Sequence, residues 1–194
     1  MPARCRRYLD KMNMTLPTDI LDFWFAEEMR SKWFASTPQL DASIKEQFEP
    51  VWEAAVNGEL DDWLSSPDGC LALAIILDQL PLNMFRGTAQ SFASEAKSRA
   101  VARHAIDQGY DKQIDLAHLA FLYMPFMHSE NLADQDLSVA LFEAAGLENN
   151  LRFAKHHREL VCRFGRFPHR NAILDRANTP QEIDYLNSKE AFKG

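Results

Sequence analysis

The sequence predicts an all-α fold. Apolar residues recur at helical spacing along most of the chain, helix caps are legible at the ends of those periodic segments, and no stretch alternates polar and apolar residues as a half-buried strand would. These features imply about eight to ten short helices, joined by connections of a few residues that favour antiparallel neighbours.

The elements follow in order. The opening "MPARCRRYLDKMNM" is basic but lacks the apolar core of a secretory signal, so residues 1–15 are read as a disordered extension, with Met14 as an alternative start. Residues 16–187 are expected to form a single all-helical domain, and 188–194 a tail. In "TDILDFWF" Thr18 is a candidate N-cap, and Ile20, Leu21, Trp24 and Phe25 share one face of a helix ending near Met29. "TPQLDASIKEQFEPVWEAAVNG" places Thr37 at the N-cap, Pro38 at the first helical position and Gly58 at the C-terminal cap. Leu40, Ile44, Phe48, Val51, Trp52 and Ala55 form its apolar stripe, and Pro50 is expected to kink or divide it. A turn at "LDDWL" leads to "PDGCLALAIILDQL", a helix apolar enough on all sides to be central, which is expected to stop at "QLPLN" because a residue before proline avoids the helical region.

Further on, "SEAKSRAVARHAIDQG" reads as a polar-faced helix closing on Gly109, and "QIDLAHLAFLYMPFMHSE" as an apolar one interrupted at Pro125. "DQDLSVALFEAAG" and "NNLRFAKHHRELVCRFG" each begin with a capping residue and end on a glycine. "TPQEIDYL" carries a complete capping box, with Thr179 at the N-cap, Pro180 next and Glu182 at the third position. Glycines closing helices at 58, 109 and 146 hint at stacked helix pairs, yet their spacings are unequal and no repeat of roughly 34 residues recurs.

Composition narrows the function classes. A net charge of -7 argues against a nucleic-acid protein, which needs a broad cationic face. The longest apolar run, "CLALAIIL", is far short of the roughly 20 residues that a membrane span requires. Cys5, Cys70 and Cys162 stand far apart, so neither a zinc framework nor a redox pair is read from them; reduced thiols and a cytoplasmic setting are expected, with Cys70 and Cys162 as small buried hydrophobes. Phosphate-binding glycine loops and a nucleophile elbow are absent. Trp24, Trp33, Trp52 and Trp63 read as core.

Three segments depart from amphipathic-helix logic. "LDQLPLNMFRGT" puts Asp78 at the end of a very apolar helix and follows it with Asn83, Arg86 and Gly87; a carboxylate there needs hydrogen bonds or an arginine. "YMPFMHSEN" brings His128 and Glu130 directly after a proline. "RFGRFPHRNAIL" gathers Arg163, Arg166, His169, Arg170 and Asn171 with no acid, and arginine forks suit carboxylate and phosphate oxygens. Just before it, His156, Glu159 and Arg163 line one helix face as an alternating charge series. No spacing demands a metal: His-x-Glu does not put both side chains on one helix face, and Asp115 with His118 has no second motif to complete a di-metal centre. No cofactor is expected.

Together with "LDFWF", these segments occur in an order and at separations that resemble the bacterial proteins grouped as domain of unknown function 924, over about residues 16 to 187. The resemblance implies a tetratricopeptide-like right-handed superhelix with irregular repeats, and no established activity. It carries motif residues over at Asp78, Asn83, Arg86, Gly87, His128, Ser129, Glu130, Arg163, Gly165, Arg166, Pro168, His169, Arg170 and Asn171. The usual patterns look like "DQFPRN" and "HRNxxLGR"; here Leu82 replaces an arginine and Asp175 a glycine, suggesting a loop not strictly dependent on glycine.

Three readings follow. In the first, Asp78, Asn83, Arg86, Arg163, Arg166, Arg170 and Asn171 line a polar groove for an anionic small molecule or an acidic peptide. In the second, His128 or His169 acts as a metal-independent general acid or base beside Glu130. In the third, the arginines pair with Asp78, Glu130 or Glu159 and tie the helices of an interaction scaffold together.

Overall fold

The computed structural model describes residues 16–33 and 35–192. The fold is all-α, with no strand among the described residues. The expectations for the first 15 residues lie outside this range.

The helices are α1 (Pro17–Phe25), α2 (Glu27–Arg30), α3 (Pro38–Asn57), α4 (Pro67–Ala74), α5 (Leu80–Met84), α6 (Glu95–Asp107), α7 (Leu116–Met127), α8 (Leu132–Ala144), α9 (Glu148–Phe164) and α10 (Pro180–Leu186). Short 3-10 turns stand at Asp61–Ser65, Ala89–Phe92, Tyr110–Lys112 and Pro168–Arg170, and a widened π-turn at Ile75–Gln79 joins α4 to α5. No helix among the described residues is long and apolar enough to cross a membrane.

The contacts sort into two compact units, one made of the described residues up to Arg86 with Gln90–Leu122, the other of Gly87–Ala89 with Tyr123 onward. In the first, α4 packs against α1 and α6, and α3 against α5 and the π-turn. Residues 70–77 are all at most 2% exposed, which makes this segment the centre of the unit, as its uniform apolarity predicts. In the second, α8 packs against α9, and Leu160, Val161, Phe167 and Tyr185 form a core cluster flanked by Phe164, Leu186 and Phe192.

Caps appear where local chemistry specifies them. Thr37, Ser66 and Thr179 each accept the hydrogen bond of a first-turn N–H, and Gly58 and Gly165 close their helices with φ of 83° and 70°. Other ends differ from expectation. α1 begins after Leu16, with Pro17 first in the helix, and stops at Phe25 before a separate turn. α8 begins after Asn131, whose side chain accepts from Ala133 and Asp134, three residues before the expected cap. The prolines differ most: Pro50 and Pro125 lie inside continuous helices, and α5 runs through Pro81.

Pro81 has a visible compensation. It cannot donate to the carbonyl of Leu77, four residues back. The Ser94 hydroxyl donates to that carbonyl at 2.6 Å and itself accepts from Trp52 Nε1 at 2.9 Å. The π-turn, in which Leu80 N–H reaches back to the Ile75 carbonyl, supplies the change of register before the proline.

Candidate functional site

Asp78, Asn83 and Arg86 of "LDQLPLNMFRGT" belong to the first unit, and two of them close on a residue of that unit outside the motif. Asn83 sits on α5 and Arg86 just beyond it, and both reach Asp41 in the first turn of α3. Asn83 Nδ2 donates to Asp41 Oδ1 at 2.8 Å, Arg86 Nε to Oδ2 at 2.7 Å, and Ser36 Oγ to Oδ1 at 2.6 Å. Burial pushes the Asp41 carboxyl up, but the bonds from Arg86, Ser36 and Asn83 more than offset it and hold it below the usual range. Asp78 lies in the π-turn, 2% exposed, and accepts from Gln79 Nε2 at 2.5 Å.

The other polar segments belong to the second unit. His128 to Asn131 form the turn between α7 and α8, pinned by Gln135 Nε2, which donates to the carbonyls of Met127 and Ser129 at 2.7 and 2.6 Å. Glu130 is thereby aimed at the loop after α9. It accepts from Phe167 N–H at 2.7 Å and from both terminal nitrogens of Arg176 at 2.6 and 2.9 Å. Burial raises its pKa, and the bonds from Arg176 and Phe167 outweigh that, so the carboxyl stays ionised.

The segment 163–171 follows from its residue types. Gly165 takes the left-handed conformation that ends α9, Phe167 is fully buried, and Pro168 opens the 3-10 turn carrying His169 and Arg170. Arg166 turns to α10, where Nε and Nη2 fork Glu182 at 2.6 and 2.8 Å. Arg163 is exposed, its guanidinium 4.7 Å from the centre of the Phe164 ring. Arg170 is 6% exposed and lies 4.8 Å over Phe167, and the fully buried Asn171 donates to Asn178 Oδ1 at 2.7 Å.

Four of the six histidines, His128, His156, His157 and His169, lie in the same unit. His157 on α9 is 6% exposed, donates from Nδ1 to the Phe153 carbonyl at 2.9 Å, and is pushed by burial to a pKa of about 3. His169 is brought to about 4, first by burial and then by the neighbouring Arg170 charge. Both imidazoles are therefore neutral near pH 7. Their rings meet Phe167 at 5.4 and 5.6 Å and Phe192 at 4.8 and 5.1 Å, and His128 lies 6.5 Å from His157. Nδ1 of His169 is buried and has no hydrogen-bond partner among the described residues. No group of three or more histidine, cysteine or acidic side chains suited to a metal exists among them either.

The structure thus puts Asp78, Asn83 and Arg86 in one unit and His128, Glu130, Arg163, Arg166, His169, Arg170 and Asn171 in the other. Asp41, Arg176, His157 and Phe192 were not among the predicted site residues, and Glu182 was foreseen only as a cap. Arg176 alone had a signal, as the last position of "HRNxxLGR". One further expectation is corrected. Cys162 is exposed, because it falls on the outer face of α9, whereas Cys70 is buried and its thiol raised to about 11 by burial. Asp175 adopts φ of 52°, so aspartate enters the left-handed region where glycine is usual, and the loop is not strictly dependent on glycine, as expected.

A family model described as a bacterial protein of unknown function (DUF924) matches residues 20–190. A solved structure of a protein of unknown function from Agrobacterium tumefaciens is 40% identical, covers 88% of this chain and 96% of its own, and superposes with a TM-score of 0.84. No curated protein matches the chain.

Proposed function

This chain belongs to the DUF924 family of bacterial proteins, and on that premise we propose that it is a helical binding protein whose second unit receives an anionic small molecule or the acidic end of a peptide at His169. One observation carries the reading: the buried Nδ1 of His169, which has no hydrogen-bond partner among the described residues. A buried polar atom left in that state costs about 1–3 kcal/mol, and a ligand oxygen would relieve it. After burial, the Arg170 charge lowers the His169 pKa, with Glu130 opposing it and Arg176 adding to it, and the two guanidinium groups support an anion at the ring. An anion would reverse that pressure and draw a proton onto the imidazole. The free thiols Cys70 and Cys162 suit the cytoplasmic setting of this reading.

The seven side chains first assigned to a groove divide by what they already hold. Arg86 and Arg166 fork Asp41 and Glu182, and these pairs support the scaffold role for both arginines. Arg170 adjoins His169 with its guanidinium over the Phe167 ring, and Arg163 is an exposed charge on the preceding helix. The acid-base alternative meets an obstacle at Glu130, whose two oxygens are taken by Arg176 and Phe167 N–H.

The test follows the imidazole signals by NMR during a phosphate titration near pH 6.5. The expected outcome is a shift of the His169 resonances with a raised pKa, and loss of phosphate binding in His169→Ala. Unchanged His169 signals at saturating phosphate would remove the reading.

A further inference from the structure

We infer that the ring of Phe192 occupies the seat of a ligand's aromatic ring, so that the His169 site takes a small aromatic acid and the chain's own C-terminal segment competes for it. The inference rests on the anion reading of His169 and adds the ligand class. Three imidazoles surround Phe192: its ring centre lies 4.8 Å from that of His157, 5.1 Å from that of His169 and 6.0 Å from that of His156, each with the planes steeply inclined. Such edge-to-face contacts are the favoured arrangement of aromatic rings, and they define a slot with the shape of one six-membered ring. Fully buried Phe167, in ring contact with both His157 and His169, adds an apolar neighbour that stays fixed in the core.

The occupant is held lightly. Phe192 is only partly buried, beyond the end of α10, and its backbone N–H donates to the Tyr185 hydroxyl at 2.8 Å. The segment before it is tied by local bonds, from Asn187 N–H to the Ile183 carbonyl at 3.1 Å, Ser188 N–H to the Tyr185 carbonyl at 2.9 Å, Glu190 N–H to the Ser188 hydroxyl at 3.2 Å and Ala191 N–H to the Ser188 carbonyl at 3.4 Å. The same imidazole that touches the ring at 5.1 Å carries the buried unpartnered Nδ1. A ligand satisfying both features bears a carboxylate close to a phenyl ring. A plug lowers apparent affinity by the fraction of time the seat is open, so its removal strengthens binding without any new contact.

The experiment compares phenylacetate with acetate by calorimetry on the full chain, on Phe192→Ala and on His169→Ala. Phe192→Ala is expected to bind phenylacetate about tenfold more tightly than the full chain, with acetate changed less than about twofold, the gain being set by how fully the ring fills its seat. His169→Ala weakens both ligands. An unchanged phenylacetate affinity in Phe192→Ala, with both ligands still weakened by His169→Ala, overturns the plug and leaves the anion reading standing. No binding of either ligand to any of the three proteins overturns both. A second measurement needs no variant: saturating phenylacetate should speed hydrogen exchange at the Phe192 amide by freeing it from Tyr185, and an unaltered rate would sink the proposal.

Discussion

Glu182 does two things with one side chain. As the third residue of the α10 capping box, it accepts from Thr179 N–H at 2.7 Å, and the same carboxylate is forked by Arg166. The Arg166 bonds first, and then the Thr179 amide, hold its pKa near 2, although only 1% of the residue is exposed. Arg166→Ala would leave the Glu182 carboxylate without its countercharge, and the urea midpoint is expected to fall. An unchanged midpoint would mean that the cap bonds alone satisfy Glu182. Asp175 poses the opposite problem, because its strain is in the backbone. Asp175→Val should destabilise by about 1–2 kcal/mol through the left-handed penalty, while Asp175→Gly should hold the native melting temperature. At this scale the capping box is legible in "TPQE" because cap and partner are neighbours. The second role of Glu182 is not, since its arginine lies 16 residues away. Longer separations, of 45 and 46 residues, hide Asp41 from Arg86 and Arg176 from Glu130, whose partners are chosen by the fold.

Prolines set the limit of what can be read for whole elements. The helix over 67–80 is expected to end at "QLPLN", yet helical structure continues through Pro81 to Met84. What permits it is Ser94, which supplies the hydrogen bond that proline withholds from the Leu77 carbonyl. Nothing near Pro81 in the sequence announces a serine 13 residues later. Pro50 is tolerated for a plainer reason: the residue four positions before it, Glu46, is exposed, so water can meet the freed carbonyl. Apolar stripes and cap residues, by contrast, are local and correctly place the bodies of α3, α6, α9 and α10. The Ser94 bridge is open to test. Ser94→Ala removes a donor from the buried Leu77 carbonyl and an acceptor from Trp52 Nε1, and a destabilisation of about 2–3 kcal/mol is expected. Ser94→Thr, which keeps the hydroxyl, should recover much of that loss. Equal stability of the alanine variant and the native chain would show that the carbonyl finds another donor.

For the molecule as a whole, depressed histidines dictate a response to acid: His118 in the first unit, lowered by burial, and His157 and His169 in the second, lowered furthest. His157 and His169 have folded pKa values of about 3 and 4, against about 6.5 for an unperturbed imidazole. Between those values the unfolded chain takes up protons that the folded chain refuses, so stability is full above about pH 6.5 and falls as the pH drops toward 4. The slope is at most about 1.4 kcal/mol per pH unit for each histidine. Glu130 and Glu182 act in a lower window: their depressed pKa values contribute stability above about 4.5, lost as the pH falls through the folded values. Acid sensitivity at pH 5 therefore belongs to the histidines, most of all to His157 and His169 in the second unit, where burial first and, at His169, the Arg170 charge work against protonation, partly offset by Glu130. The urea midpoint is expected to fall between pH 7.5 and pH 5, and His157→Gln with His169→Gln should abolish most of that fall. A bound anion acts in the opposite sense, since it stabilises the imidazolium at His169: phosphate should raise the midpoint more at pH 5 than at pH 7.5. An equal effect at both pH values would detach the anion from His169, even if phosphate binds elsewhere on the chain.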